Sequence, residues 1–141
     1  MMNLPLPYPF GRLDAWLQEN KMKYLASPYS HPSKHIRMLR YINARACVGH
    51  FLLLRDWVYS PIVHCHPLAL EEELPTDAAF WEDYNQNMMD RAAALYVLKL
   101  PGWDTSIGVD MEITYAARLG LPISYVEYES NNDGAPLFRL A

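Results

Sequence analysis

A chain of 141 residues and 16.3 kDa has the size of one folding unit, because folded cores divide only beyond about 250 residues. With 51% hydrophobic, 13% aromatic and 20% charged residues it carries enough apolar surface to pack a core, which excludes global disorder. A net charge of −4 and a pI near 5.7 exclude the broad basic field of a dedicated duplex nucleic-acid binder and leave a small anionic ligand open.

The longest apolar run, Ala92 to Leu98, falls far short of the roughly 20 residues that span a bilayer, so no membrane partner is expected. The start, Met1-Met2-Asn3-Leu4-Pro5, has neither the basic leader nor the continuous apolar segment of a secretory signal. Cys47 and Cys65 read as reduced thiols, and a cytoplasmic location is expected.

Residues 1–22 form an irregular arm through Pro5, Pro7, Pro9 and Gly11 into a short helix over Arg12 to Asn20, with Leu13, Trp16 and Leu17 at helical spacing. Lys23 to Ser27 is a compact apolar stretch closed by Pro28-Tyr29-Ser30, the pattern of a buried strand ending in a loop. From Ser33, a candidate cap, the period becomes helical through Ile36, Leu39, Ala46, Cys47 and His50. Trp57 to Ile62 is a second strand, and strand, helix and strand of this length imply a parallel pair. His64 to Thr76, polar, acidic and marked by proline, reads as a loop before a helix over Asp77 to Arg91, in which Phe80, Tyr84 and Met88 share a face. Ala92 to Leu100 is a third strand. After the Pro101 to Thr105 loop, Ser106 caps a helix that Gly120 ends, and Pro122 to Tyr128 is a fourth strand. Residues 129–141 read as a turn-rich tail. This alternation predicts an α/β domain, a small parallel sheet of four to five strands flanked by helices, with its ligand site beyond the carboxyl ends of the strands.

Chemistry is therefore sought in the loops Pro28–Ser33, Pro61–Pro67 and Pro101–Thr105 and at the helix start that follows the last of them. The amides around Ser106, Ile107 and Gly108 open a helix and suit an anion. Glu112 falls in the apolar sector with Val109, Ile113 and Ala116, where a carboxylate is costly unless it is paired or used. The plainer reading is a capping or salt-bridged glutamate. Asp83 and Asp90 lie seven residues apart and face nearly the same way; either is a candidate second carboxylate, against a solvated helix surface. His64-Cys65-His66, with Cys47 or His50, invites a metal, but structural zinc needs four ligands at recognisable spacing and no second cluster exists, so a loop histidine, His64, touching substrate is preferred. Lys34, Arg37 and Arg40 recur every third residue and read as a solvated face or phosphate contacts. Tyr29 and Trp103, both in loops, are the aromatics best placed to stack on a base.

Tyr24-Leu25-Ala26-Ser27-Pro28-Tyr29-Ser30, then Tyr59-Ser60-Pro61-Ile62, then Gly102-Trp103-x-x-Ser106-x-Gly108-x-x-x-Glu112-x-x-x-Ala116, in that order, resemble the nucleoside 2-deoxyribosyltransferase superfamily over residues 22–128. The resemblance implies a flavodoxin-like three-layer fold, cleavage of the N-glycosidic bond of a nucleoside or nucleotide, no cofactor, and a homo-oligomer, a dimer or higher. It places Glu112 on the nucleophile that forms a glycosyl-enzyme intermediate and Tyr24 on the tyrosine that orients it. It places Ser106 on a phosphate-contacting serine, and Asp83 nearest to the second carboxylate, out of register by about two residues. Ser27, Tyr29, His64, Trp103 and Gly108 complete the expected substrate contacts. The competing expectations are a non-catalytic nucleotide-binding module of the same fold and a metal-dependent hydrolase built around His64 and His66.

Overall fold

The structure is a computed structural model and describes residues 21–130 and 135–141; the arm and short helix expected before Lys21 lie outside the described residues. The elements run β1 (Lys23–Ala26), α1 (Lys34–Leu53), β2 (Val58–Tyr59), α2 (Pro61–Glu71), α3 (Ala78–Met89), β3 (Ala94–Leu98), α4 (Ile107–Leu119), β4 (Ile123–Ser130) and β5 (Pro136–Leu140). They build one sheet of order β2-β1-β3-β4-β5, parallel from β2 to β4, with β5 antiparallel on the edge. The chain steps from β1 to β2 on one side and then to β3 on the other. The carboxyl ends of β1 and β3 are thus the point where strand order reverses, and connecting loops splay apart there.

Alternation along the strands divides the core between the two faces. Leu25, Tyr96 and Leu98 pack with Cys47 and Phe51 of α1, while Tyr24, Ala26, Leu95 and Val97 pack with Met89 of α3 and Val109 and Ala116 of α4. Helices cover both faces, giving the expected flavodoxin-like three-layer arrangement. The caps fall where the sequence puts them: the Ser33 and Ser106 side chains accept from the amides of Ile36 and Val109, and Gly120 closes α4 with a left-handed φ of 72°.

Three segments differ from expectation. The second strand is only Val58–Tyr59, because Ser60 accepts from Val63 N and Pro61 occupies the first helical turn, where its fixed φ and missing N–H cost nothing. The segment expected as a loop is largely α2. Its buried stripe of Pro61, Cys65, His66 and Ala69 outweighs Pro67, an interior helix penalty of about 3 kcal/mol. The turn-rich tail contains a strand, β5, paired with an extended β4 from Val126↔Leu140 to Ser130↔Pro136, and Phe138 enters the core. Pro136 sits at the first position of this edge strand, where a missing donor is tolerated. Within α3, Phe80 and Tyr84 are exposed, and Trp81, Asn85 and Met89 form the inward row. Among the described residues no helix is long and apolar enough to cross a membrane.

Candidate functional site

The last residues of β1 and the second turn of α4 meet on one face of the sheet. Tyr24 is fully buried there, and its phenol donates a hydrogen bond to Glu112 Oε2. Gly108 and Ala116, one turn to either side, keep the surroundings of the carboxyl small. Burial pushes the Glu112 carboxyl up to about 8, against the opposing pull of the Tyr24 hydrogen bond. The Tyr24 phenol is itself held well above its ordinary range, first by burial and then by the neighbouring Glu112. Tyr59 closes the back of the pair, its ring tilted at 57° and 5.9 Å from that of Tyr24.

Glu112 forms part of a narrow cleft of about 70 Å³ at the switch point. The loop after β1 contributes Ser27, Tyr29 and Ser30; α2 contributes Pro61, Ile62, Cys65 and His66; α3 contributes Asp77, Trp81 and Asn85; α4 contributes Ser106 and Gly108. Three side chains in this wall hold buried polar atoms with no hydrogen-bond partner among the described residues: Ser27 Oγ, His66 Nε2 and Asn85 Oδ1. Folded proteins pair such atoms almost without exception, since each unpaired one costs about 1–3 kcal/mol. Three beside one cleft leave hydrogen-bonding capacity that the described residues do not meet.

Ser30, Asp77, Ser106 and Gly108 are shared with an open hollow of about 480 Å³. Arg40, Gly102 and Ile107 line its other side. Arg40 donates to the carbonyls of Ser30 at 2.9 Å and Pro101 at 3.4 Å, which anchors its charge beside the amino end of α4. Gly102 is required here: its φ is 93°, and a Cβ would stand 2.6 Å from the Arg40 guanidinium. A cation and a helix start side by side suit an anionic group. Asp77, engaged as the cap of α3 by Phe80 N at 3.1 Å, keeps the hollow from being uniformly positive.

Of the residues singled out in the sequence, Glu112, Ser27, Tyr29, Ser106 and Gly108 share the cleft wall, and Tyr24 supports it from behind. Asp83 is exposed on α3 and outside the wall, whereas Asn85, two residues on, is within it. Asp90 lies beyond, accepting from the Tyr115 phenol. His64 is exposed, its ring parallel to that of Tyr84 at 6.3 Å, and is not part of the wall. Trp103 instead packs edge-on against Tyr125, with the Lys99 ammonium 5.7 Å above its ring. Cys47 and Cys65 are free, and burial pushes their thiols up to about 12 and about 11. Among the described residues no three His, Cys, Asp or Glu side chains converge as metal ligands would. His66 entered the sequence reading only as a metal-ligand candidate, and Asn85, Asp77 and Trp81 were not singled out as site residues. The i, i+4, i+8 stripe of Pro61, Cys65 and Ala69 was the available signal for His66.

The family model described as a domain of unknown function, DUF1937, matches residues 21–128, and the chain belongs to that family. No curated protein matches the chain. The family description carries no activity, so a functional reading rests on the site itself.

Proposed function

We propose that the protein cleaves the N-glycosidic bond of a nucleoside or nucleoside 5′-monophosphate, with Glu112 as nucleophile. The observation that carries this reading is a carboxyl in a cleft at the switch point, one oxygen held by a buried phenol. Glu112 attacks the anomeric carbon as the bond to the base breaks and its electron pair leaves with the base, which takes up a proton. The resulting glycosyl ester is opened by water in hydrolysis or by a second base in transfer. With Oε2 engaged by Tyr24, Oε1 is the attacking oxygen. A carboxylate against an oxocarbenium-like sugar in a narrow site is worth far more than in water. No cofactor is needed. The Arg40 hollow and the start of α4 beside Ser106 receive a 5′-phosphate. Asp83 stands apart from the wall, so Asn85 takes the position expected of the second carboxylate and orients substrate rather than transferring a proton. The enzyme acts in the cytoplasm as a homo-oligomer, and a single elution profile at 16.3 kDa would count against that assembly.

The test is incubation with a panel of nucleosides and their monophosphates, with released base followed by chromatography in wild type and Glu112→Ala. Release abolished by the substitution supports the reading; activity lost to a chelator would favour a metal-dependent hydrolase instead. One observation favours a binding module of the same fold: a carboxyl pushed up to about 8 is mostly neutral near pH 7 and serves as a hydrogen-bond donor. Binding without turnover in both forms would select that reading.

A further inference from the structure

His66 is held more firmly than a wall residue needs to be. Only 5% of its surface is exposed, and two aromatic rings and a hydrogen bond fix its plane. Tyr41 of α1 stacks on it at 4.3 Å and 19°, Tyr29 approaches edge-on at 82°, and the Tyr29 phenol meets Nδ1 at 2.6 Å. Burial holds the Tyr29 phenol in its protonated form, and it donates to Nδ1 or accepts from it according to which ring nitrogen carries the imidazole proton. With the phenol as donor, the imidazole proton resides on Nε2, which has no hydrogen-bond partner among the described residues. Burial, aided by the charge of Arg37, lowers the affinity of His66 for a second proton and keeps the ring neutral. A locked, neutral N–H donor thus stands in the same cleft as Glu112.

We infer that His66 Nε2–H donates a hydrogen bond to the departing heterocycle, to a ring nitrogen or carbonyl oxygen that gains negative charge as the glycosidic bond breaks, and that Tyr29 is the positioning residue that sets its tautomer. The inference rests on the glycosidase reading and extends it to the leaving group. A base offering an acceptor at this atom is a substrate; an isostere without one is not. The bond is not a proton transfer: Nε2 keeps its hydrogen, and the proton that completes the free base comes from water. Asn85 Oδ1, the unpartnered acceptor of the same wall, complements it by receiving an N–H of the base.

The experiment pairs a spectrum with binding and turnover. Ring nitrogen resonances of wild type should show His66 with its proton on Nε2, and Tyr29→Phe should show a mixture of tautomers. Calorimetry with free hypoxanthine, adenine, uracil and cytosine, and with indole as an isostere lacking a ring acceptor, should find at least one base that binds more tightly than indole. For that base His66→Leu should lose about tenfold in affinity and His66→Gln, which restores an N–H, should recover to within about threefold. With the matching nucleoside, His66→Leu should lose roughly 10²-fold in kcat with little change in KM. A proton on Nδ1, or base affinity and kcat unchanged in His66→Leu, overturns the inference and leaves an ordered water as the partner of Nε2. If that happens while Glu112→Ala abolishes turnover, the glycosidase reading survives alone. If no base binds and no nucleoside or monophosphate releases its base, both are overturned.

Discussion

Tyr96–Asp56 and Tyr24–Glu112 are tyrosine–carboxylate pairs on opposite faces of the sheet, and they differ in what surrounds them. On the α1 face the Tyr96 phenol donates to Asp56 Oδ2 at 2.6 Å, and the Lys23 ammonium lies 2.9 Å from Oδ1. On the α4 face the Tyr24 phenol donates to Glu112, and the cleft that Glu112 lines holds polar atoms of Ser27, His66 and Asn85 with no hydrogen-bond partner among the described residues. The first pair is electrically closed and ties the start of β1 to the turn before β2. In the second, burial raises the acid to about 8 and its surroundings hold unmet hydrogen-bonding capacity. A carboxylate matched by an opposite charge supports the fold, whereas an acid raised by burial beside unmet polar atoms has capacity left for a ligand.

The contrast breaks most sharply under substitution of the acids. Glu112→Ala should cost base release at least roughly 10³-fold, an effect on turnover well beyond the about 1–3 kcal/mol of stability lost as the buried Tyr24 phenol loses its partner. Asp56→Ala should leave kcat/KM unchanged and cost about 1–3 kcal/mol in denaturant unfolding, because Lys23 and Tyr96 lose a shared partner. Equal effects on activity would erase the distinction.

The pH dependence sharpens it further. A nucleophile must be ionised, so kcat/KM should climb with pH and level off above about 8. Tyr24→Phe removes the hydrogen bond that favours the charged form; the rising limb should move to higher pH and kcat at neutral pH should fall by about tenfold. A profile that falls with pH instead would assign Glu112 the role of an acid. Stability should run the opposite way. The folded carboxyl titrates near 8 against an ordinary 4.5, so the native state holds more protons between those values, and stability declines as pH rises through that window. Glu112→Gln should flatten the decline, seen as a larger gain in melting temperature over wild type at pH 9 than at pH 5.

The smallest effects belong to the hollow. Gly102→Ala meets both a positive φ and the Arg40 guanidinium, and should cost about 1–2 kcal/mol and weaken monophosphate binding more than nucleoside binding. Ser106→Ala should cost about 1 kcal/mol through the lost cap and show the same preference. A variant that weakens both ligands equally would remove phosphate from the assignment.

Much of this was legible along the chain. The Ser33 and Ser106 caps, the Gly120 stop and the period of α1 are local rules acting on neighbouring residues. The placement of Glu112 in an apolar sector follows from helical pitch alone. What misled was also local. Pro67 and the acidic run Glu71-Glu72-Glu73 read as a loop because the packing of Cys65 and Ala69 that outweighs the proline is made with elements distant in sequence. The orientation of α3 was hidden for a similar reason: Phe80 and Tyr84 are the more hydrophobic row, yet Trp81, Asn85 and Met89 face inward.

Composition and periodicity by themselves determined the layered α/β class, three parallel crossovers and a carboxyl stationed one turn inside a helix, since each depends on spacings of a few residues. Tertiary structure decided that this carboxyl meets a phenol 88 residues earlier, that His66 and Asn85 rather than His64 and Asp83 enter the cleft, and that the last residues become a strand. Those outcomes depend on how helices rotate against a sheet. A rotation of about 100° per residue separates a wall residue from its exposed neighbour, and only the fully packed core selects between them.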